Sequence, residues 1–264
     1  MIILCNGMIR SGSTFQYNII RDLLIKNKLN YKSLGFLNKE AIENDFNTFK
    51  KNAEEPNMFY LIKTHNYTGL NSLDNVFVIY SFRNLLDVAA SIKRKFGKDK
   101  KDLFLALENI MNDYYGIITS KRILTQAYSN LLDSPNACVK EIVNFLNFNT
   151  TDKIVNEIVE ANKVENIAIR QNKNQFLKRL KELLLNTFVS LKGIKTILIF
   201  LFGRKIANKI KFFLLPHDKE SLLHLNHVSK NLGKNGLWIE ILEEQEINEI
   251  KKRFNDWMIK NNYL

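Results

Sequence analysis

"GMIRSGST", residues 7–14, decides how the rest of the chain is read. It follows the apolar opening "MIILCN" and precedes "FQYNIIRDLLIKN", in which Phe15, Ile19, Ile20, Leu23 and Leu24 recur at helical spacing. Strand, glycine loop, helix is the arrangement in which backbone amides at a helix N-terminus receive an anion. Two glycines with four residues between them and a hydroxyl-bearing pair behind have the spacing of a phosphate-binding loop. One position departs from that pattern: Ser13 stands where a nucleotide hydrolase carries lysine. Arg10, inside the loop, is the nearest substitute cation.

Two further apolar runs, "MFYLIKTH" (58–65) and "NVFVIYSFR" (75–83), become polar only at their ends. Such runs, separated by helical stretches, predict parallel strands buried on both faces. The expected fold class is α/β, a P-loop-like three-layer fold with a central parallel sheet flanked by helices. In such sheets the ligand sits beyond the carboxyl ends of the strands. Those ends supply Arg10 to Thr14, then Lys63, Thr64 and His65, then Ser81 and Arg83, which is three cations and a histidine. Neither later strand ends in an acid that would hold the magnesium of a triphosphatase. A cationic, metal-free anion site is therefore expected, with His65 as a base that titrates near neutrality.

Further along, helices are predicted from Asn84 to a stop at Gly97, over 102–123, over the segment after Pro135 and over 152–164. A short strand precedes a turn near Ser134 and Pro135. Residues 243–264 read as one terminal helix with Ile247, Ile250, Phe254, Trp257 and Met258 on a single face.

At 264 residues and 45% hydrophobic content the chain can bury one sizeable core. Only 3 prolines and 10 glycines occur and no tract reads as a linker, so a single domain over 1–264 is expected. Cys5 and Cys138 form neither a metal pattern nor a disulfide framework and are expected as small buried hydrophobes. The opening is too short and too quickly polar for a secretory leader, and the expected location is cytoplasmic.

Four ordered segments within residues 1–148 resemble the cytosolic-type sulfotransferases, which use 3'-phosphoadenylyl sulfate (PAPS). "RSGSTF" (10–15) is similar to their donor loop, "KTH" (63–65) to a strand-end signature, "RNLLDVAAS" (83–91) to their arginine-to-serine segment, and "YSNLLDSP" (128–135) to a tyrosine-bearing segment near the adenine. The resemblance implies that Ser11, Gly12, Ser13 and Thr14, with Arg10, cradle the 5'-phosphosulfate. It implies that Arg83 and Ser91 bind the 3'-phosphate, an arginine fork and a hydroxyl suiting a dianion. Phe15 would stack on the adenine and Tyr128 reach the base edge, while a helix-face core role for Phe15 and an ion pair of Arg83 with Asp87 are the competing expectations. His65 would take the acceptor's proton, with Lys63 and Arg10 steadying charge on the sulfuryl oxygens and leaving phosphate. The products would be a sulfated hydroxyl on a lipid, sugar or small metabolite, and adenosine 3',5'-bisphosphate (PAP).

The C-terminal part departs from the family. Where members show RKGxxGDW, "NLGKNGLW" (231–238) keeps Gly233, Gly236 and Trp238 but has Asn231 and Leu232 for the basic pair and Leu237 for the aspartate. Lys230 and Lys234 are the expected substitutes at the 3'-phosphate. His224, His227 and Ser229 are alternative lining residues, and His217 reads as an ordinary loop residue.

Formal net charge is +12, and residues 173–215 hold ten Lys or Arg against Glu182 alone. Within this insert "TILIFLFG" (196–203) is far below the roughly 20 residues of a spanning helix. Two readings stay open: an interfacial segment on an anionic membrane surface, giving a peripheral protein, or core helices with a solvated basic face. No nucleic-acid partner is expected, because basic and aromatic residues do not interleave as in single-strand binders. The rival functions are a P-loop small-molecule kinase using ATP and a non-catalytic basic membrane-binding module.

Overall fold

The structure, a computed structural model, describes residues 1–163, 166 and 235–264. Its sheet contains β1 (Ile2–Gly7), β2 (Tyr31–Phe36), β3 (Phe59–Lys63), β4 (Val76–Phe82) and β5 (Ile123–Ala127). Helices follow as α1 (Ser13–Lys26), α2 (Lys39–Asn44), α3 (Phe46–Glu54), α4 (Leu85–Phe96), α5 (Lys100–Ile117), α6 (Tyr128–Asp133), α7 (Pro135–Phe145) and α8 (Asp152–Ala161). After the undescribed stretch come α9 (Trp238–Ile241), α10 (Glu244–Arg253) and α11 (Asn255–Lys260).

The strand order is β2-β3-β1-β4-β5, and every neighbouring pair is parallel. This is the α/β architecture expected from the apolar runs. Side-chain alternation along β1 divides the core in two. Ile2 and Leu4 join Ile62, Val78 and Tyr80 on one face, under α4, α5 and the C-terminal helices. Ile3 and Cys5 join Leu61 and Ile79 on the other, under α1, α7 and α8. With helices on both faces the central strands can be buried along their whole length, as β1 is.

β1 has β3 on one side and β4 on the other, so successive connections run to opposite sides of it. The loop after β1 therefore opens at the point where the strand order reverses, between the carboxyl ends of β3 and β4. Helix α4 is stopped by Gly97, whose φ of 60° suits glycine and whose N–H reaches the Lys93 carbonyl. Lys93, Arg94 and Lys95 occupy its last turn, where positive charge meets the helix dipole favourably. Lys93 also reaches the buried Glu246 carboxylate at 2.8 Å and ties α10 to α4.

Several elements differ from the sequence expectation: the helix expected over 102–123 ends at Ile117 because Ile123 already belongs to β5, α2 and α3 were not foreseen, and three further differences bear on the site. β2 was not foreseen, because "YKSLGF" is an edge strand with one partner and needs no continuous apolar run. A bulge between Ser33 and Gly35 bends it, with Gly35 at φ 74°. α6 stands between the short strand and the turn at Ser134, where no helix was expected. The terminal helix is two, broken at Phe254 (φ −115°, ψ 22°), and beyond the break Trp257 packs edge-on against Phe82 and Tyr114. The insert 173–215, Lys230, Lys234, His217, His224, His227 and Ser229 lie outside the described residues.

Candidate active site

The loop between β1 and α1 is built by close approach. Gly7 lies so near β4 that a Cβ there would stand 2.3 Å from Ser81 Oγ and 2.8 Å from the Ser81 carbonyl oxygen. The Met8 amide donates to that carbonyl at 3.0 Å. Ser11, fully buried, sets its hydroxyl 2.8 Å from Ser81 Oγ and 2.7 Å from the Met8 carbonyl oxygen. The Ser11 and Ser81 hydroxyls thus pin the loop to the sheet, although the sequence placed Ser11 on the ligand. Gly12 caps α1 at φ 93°, and its carbonyl takes the Phe15 and Gln16 amides. The Ser13 and Thr14 amides are left as the helix's orphan donors. No acid sits in the first turn of α1, so nothing there opposes an incoming anion.

Lys63 and His65 are two residues apart at the end of β3, and strand alternation turns both away from Thr64, toward the same side. Lys63 Nζ lies 3.1 Å from His65 Nε2, and His65 Nδ1 lies 2.8 Å from the Gly7 carbonyl oxygen. A carbonyl only accepts, so Nδ1 carries the proton and Nε2 offers its lone pair. Burial pushes the Lys63 ammonium down to about 8, opposed by Cys5 across the β1–β3 register. Burial, then the Lys63 charge, pushes His65 down to about 4 against the Gly7 hydrogen bond, with Arg10 the least of these influences. At neutral pH the pair is a mostly charged lysine and a neutral imidazole.

A second group gathers Arg10, Arg83, Ser91 and Tyr128. Arg10 Nε donates to Ser91 Oγ at 2.9 Å, and Arg83 Nη1 donates to the Arg10 carbonyl at 3.3 Å. The Arg83 guanidinium stands 4.3 Å from the centre of the Tyr128 ring, a cation over an aromatic face. It also reaches Asn235 Oδ1 at 3.1 Å and lies 3.7 Å from Asp87, one helical turn away. Asp87 in turn accepts the Gly236 amide at 2.9 Å. Burial raises the Asp87 carboxyl above its ordinary range, partly offset by Arg83.

Among the solved structures similar to this chain are two of retinol dehydratase and one of a mouse sulfotransferase. Retinol dehydratase, solved in complex with androsterone and inactive cofactor PAP, has a TM-score of 0.53 at 16% identity, covering 97% of this chain and 80% of the other. The retinol and PAP complex of retinol dehydratase gives 0.53 at 17%, covering 97% and 81%. A mouse sulfotransferase complexed with PAP gives 0.52 at 16%, covering 97% and 84%. This is the sulfotransferase fold. By sequence alone no family model and no curated protein matches the chain.

The sulfotransferase fold brings Arg10, the loop residues 11–14, Lys63, His65, Arg83, Ser91 and Tyr128 to one end of the sheet. Arg10 points its fork at Ser91, on the Arg83 side of the loop, where the sequence placed it with Lys63 beside the transferred group. Phe15 packs against the apolar cluster of α1, α7 and α8, so its ring has neighbours within the fold. Tyr128 is brought in by α6: a Cβ on Gly12 would stand 3.0 Å from its ring. Both competing expectations for Arg83 hold a place here, since it pairs loosely with Asp87 while facing Ser91's partner.

Two contributors were missed altogether. Phe36, half exposed at the end of β2, has its ring centre 5.7 Å from that of His65 and 5.0 Å from Lys63 Nζ. Its signal would have been an aromatic following a glycine in an edge strand, which is too common to single out. Asp113 of α5 was also unforeseen; it accepts the Tyr67 amide at 2.8 Å and Asn66 Nδ2 at 3.1 Å, holding the turn after His65. Among the described residues no three His, Cys, Asp or Glu side chains group so as to hold a metal ion, and no helix is long and apolar enough to cross a membrane.

Proposed function

We propose that this protein transfers the sulfuryl group of PAPS to an acceptor hydroxyl, with His65 as general base. The observation that carries the reading is the imidazole anchored by Nδ1 on the Gly7 carbonyl, with Nε2 turned to Lys63 at 3.1 Å, directly beside an anion loop. The acceptor oxygen attacks sulfur while its proton passes to Nε2. The bond from sulfur to the 5'-phosphate oxygen breaks, and PAP leaves with the electron pair. Lys63 and the Ser13 and Thr14 amides neutralise charge that grows on the sulfuryl and phosphate oxygens, fixed donors acting where bulk water is excluded. The Lys63 ammonium caps Nε2. Anionic donor oxygens draw Lys63 away and free the base.

Arg83 and Ser91 bind the 3'-phosphate in this reading, and Tyr128 borders the nucleotide. Solved neighbours that hold PAP together with androsterone or retinol support a hydroxyl acceptor. The half-exposed Phe36 ring beside His65 favours an apolar alcohol, a lipid or small metabolite, over a sugar. The test is calorimetry with PAP against 5'-AMP. PAP is expected to bind about 100-fold more tightly, and Arg83→Ala to remove most of that difference, a charge-assisted contact pair being lost. Equal binding of the two nucleotides, or magnesium-dependent ATP turnover, would overturn the reading.

Within the same proposal, the basic apolar insert 173–215 brings a cytoplasmic enzyme to anionic membrane surfaces. Liposome co-sedimentation is expected to rise with the fraction of anionic lipid and fall with salt. Partitioning that ignores lipid charge would remove this part alone.

A further inference from the structure

We infer that Arg10 belongs to the second phosphate: with Arg83 and Ser91 it forms the dianion site for a nucleotide 3'-phosphate, in place of the basic pair that Asn231 and Leu232 do not supply. The inference rests on the PAPS reading above and specifies one of its subsites. Three observations carry it.

First, Arg10 holds a left-handed backbone, φ 73°, inside a loop where Gly12, at φ 93°, already provides the other unusual turn. A non-glycine residue there is uncommon and carries a cost that the surroundings must offset. What this conformation achieves is visible in the contacts. The Arg10 carbonyl turns to Arg83 Nη1 at 3.3 Å and its fork turns to Ser91 Oγ at 2.9 Å, so both ends of the residue serve the Arg83 group.

Second, the cations here crowd each other. Burial lowers the Arg10 pKa, and the Arg94 and Arg83 charges lower it further; the Arg10 charge in turn acts on Lys95. Like charges gathered round the buried Ser91 hydroxyl favour the approach of an anion, and two guanidinium forks match the oxygens of a phosphate dianion. Asp87, at 3.7 Å, pairs with Arg83 rather than Arg10.

Third, the other side of the loop is already furnished. Lys63 sits beside His65, and the α1 amides face the first anion, so the transferred group has its cation without Arg10.

The test uses the full chain and three nucleotides: 3'-AMP, 5'-AMP and PAP. Arg10→Gly removes the fork while suiting the φ of 73°, so the loop is expected to keep its shape and the melting temperature to hold. In this variant 3'-AMP and PAP affinities are expected to fall about 30-fold and 5'-AMP affinity less than about threefold. Arg10→Lys is expected to restore part of the 3'-AMP loss. If 5'-AMP weakens as much as 3'-AMP, Arg10 serves the first phosphate and the inference fails while the PAPS reading stands. If the wild-type chain binds 5'-AMP as tightly as PAP, both fall together.

Discussion

His65→Ala is expected to slow sulfuryl transfer about 1,000-fold while PAP affinity stays within about threefold, because general base catalysis contributes on the order of 100- to 10,000-fold. PAP release from PAPS, followed across a panel of phenols and primary and secondary alcohols, gives the rate; calorimetry gives the affinity. His65→Gln, which keeps a polar group near the Gly7 carbonyl, is expected to be equally slow. A rate within tenfold of wild type in either variant would mean that the acceptor loses its proton elsewhere.

The pH profile of the wild type provides an independent check. Transfer needs a neutral imidazole and a charged Lys63, whose values are about 4 and about 8. kcat/KM is therefore expected to stay level between them, falling below pH 4 and above pH 8, whereas an unperturbed histidine would place the acid limb near 6.5. Stability follows the same shifts. The folded imidazole binds its proton less readily than the unfolded one, so stability is lost as pH falls from about 6.5 toward 4 and levels below. For Lys63 the folded value again lies under the unfolded one. Between about pH 8 and 10.5 the unfolded chain holds the extra proton, and in that window this group makes stability rise with pH.

Gly7→Ala is expected to abolish transfer and weaken PAP binding at least about 100-fold. The new methyl would meet Ser81 Oγ at 2.3 Å, the Ser81 carbonyl oxygen at 2.8 Å and Ser11 Oγ at 2.9 Å, and all three belong to the contacts that pin the loop. A side-chain hydroxyl can rotate away, but the carbonyl is sheet backbone and accepts the Met8 amide. The loop must lift, carrying the α1 amides off the anion and the Gly7 carbonyl off His65. Overpacking of this kind costs about 1–3 kcal/mol, so a lower urea midpoint is expected as well. Adding Ser81→Ala removes the nearest obstacle and is expected to recover part of the binding. Full PAP affinity in the single variant would show that the loop can retreat without losing its ligand.

Much of this site could be read from the chain because its chemistry sits beside signals that physics makes loud. β1, β3 and β4 are covered on both faces and so stay apolar until their carboxyl ends, and the polar residues gathered at those ends, Arg10 to Thr14, Lys63 to His65 and Arg83, inherit a predictable address. Ser91 came with the helix that follows Arg83. Tyr128 was named, but its place over Gly12 depends on α6, six residues long, whose propensities did not separate it from a loop. β2 and its Phe36 were hidden for a related reason, since an edge strand half open to water carries no run. Directions were harder than places. Nothing in the order of residues says that Ser11 turns inward to Ser81, or that Arg10 adopts φ 73° and reaches for Ser91. Both are set by backbone torsions that close only when the sheet has assembled. The break at Phe254 is of the same kind.

The peptide unit at Gly7 is occupied on both sides, its N–H by Asn6 Oδ1 at 2.7 Å and its carbonyl by His65 Nδ1 at 2.8 Å. Were the imidazole to shed a proton from Nδ1, a bare nitrogen would be left facing a carbonyl oxygen, lone pair against lone pair. The ring thus cannot act as a wire that ships acidity into the interior. In the proposed transfer, whatever it collects at its outward nitrogen must depart through the same mouth, a return trip to solvent rather than a handoff behind the sheet.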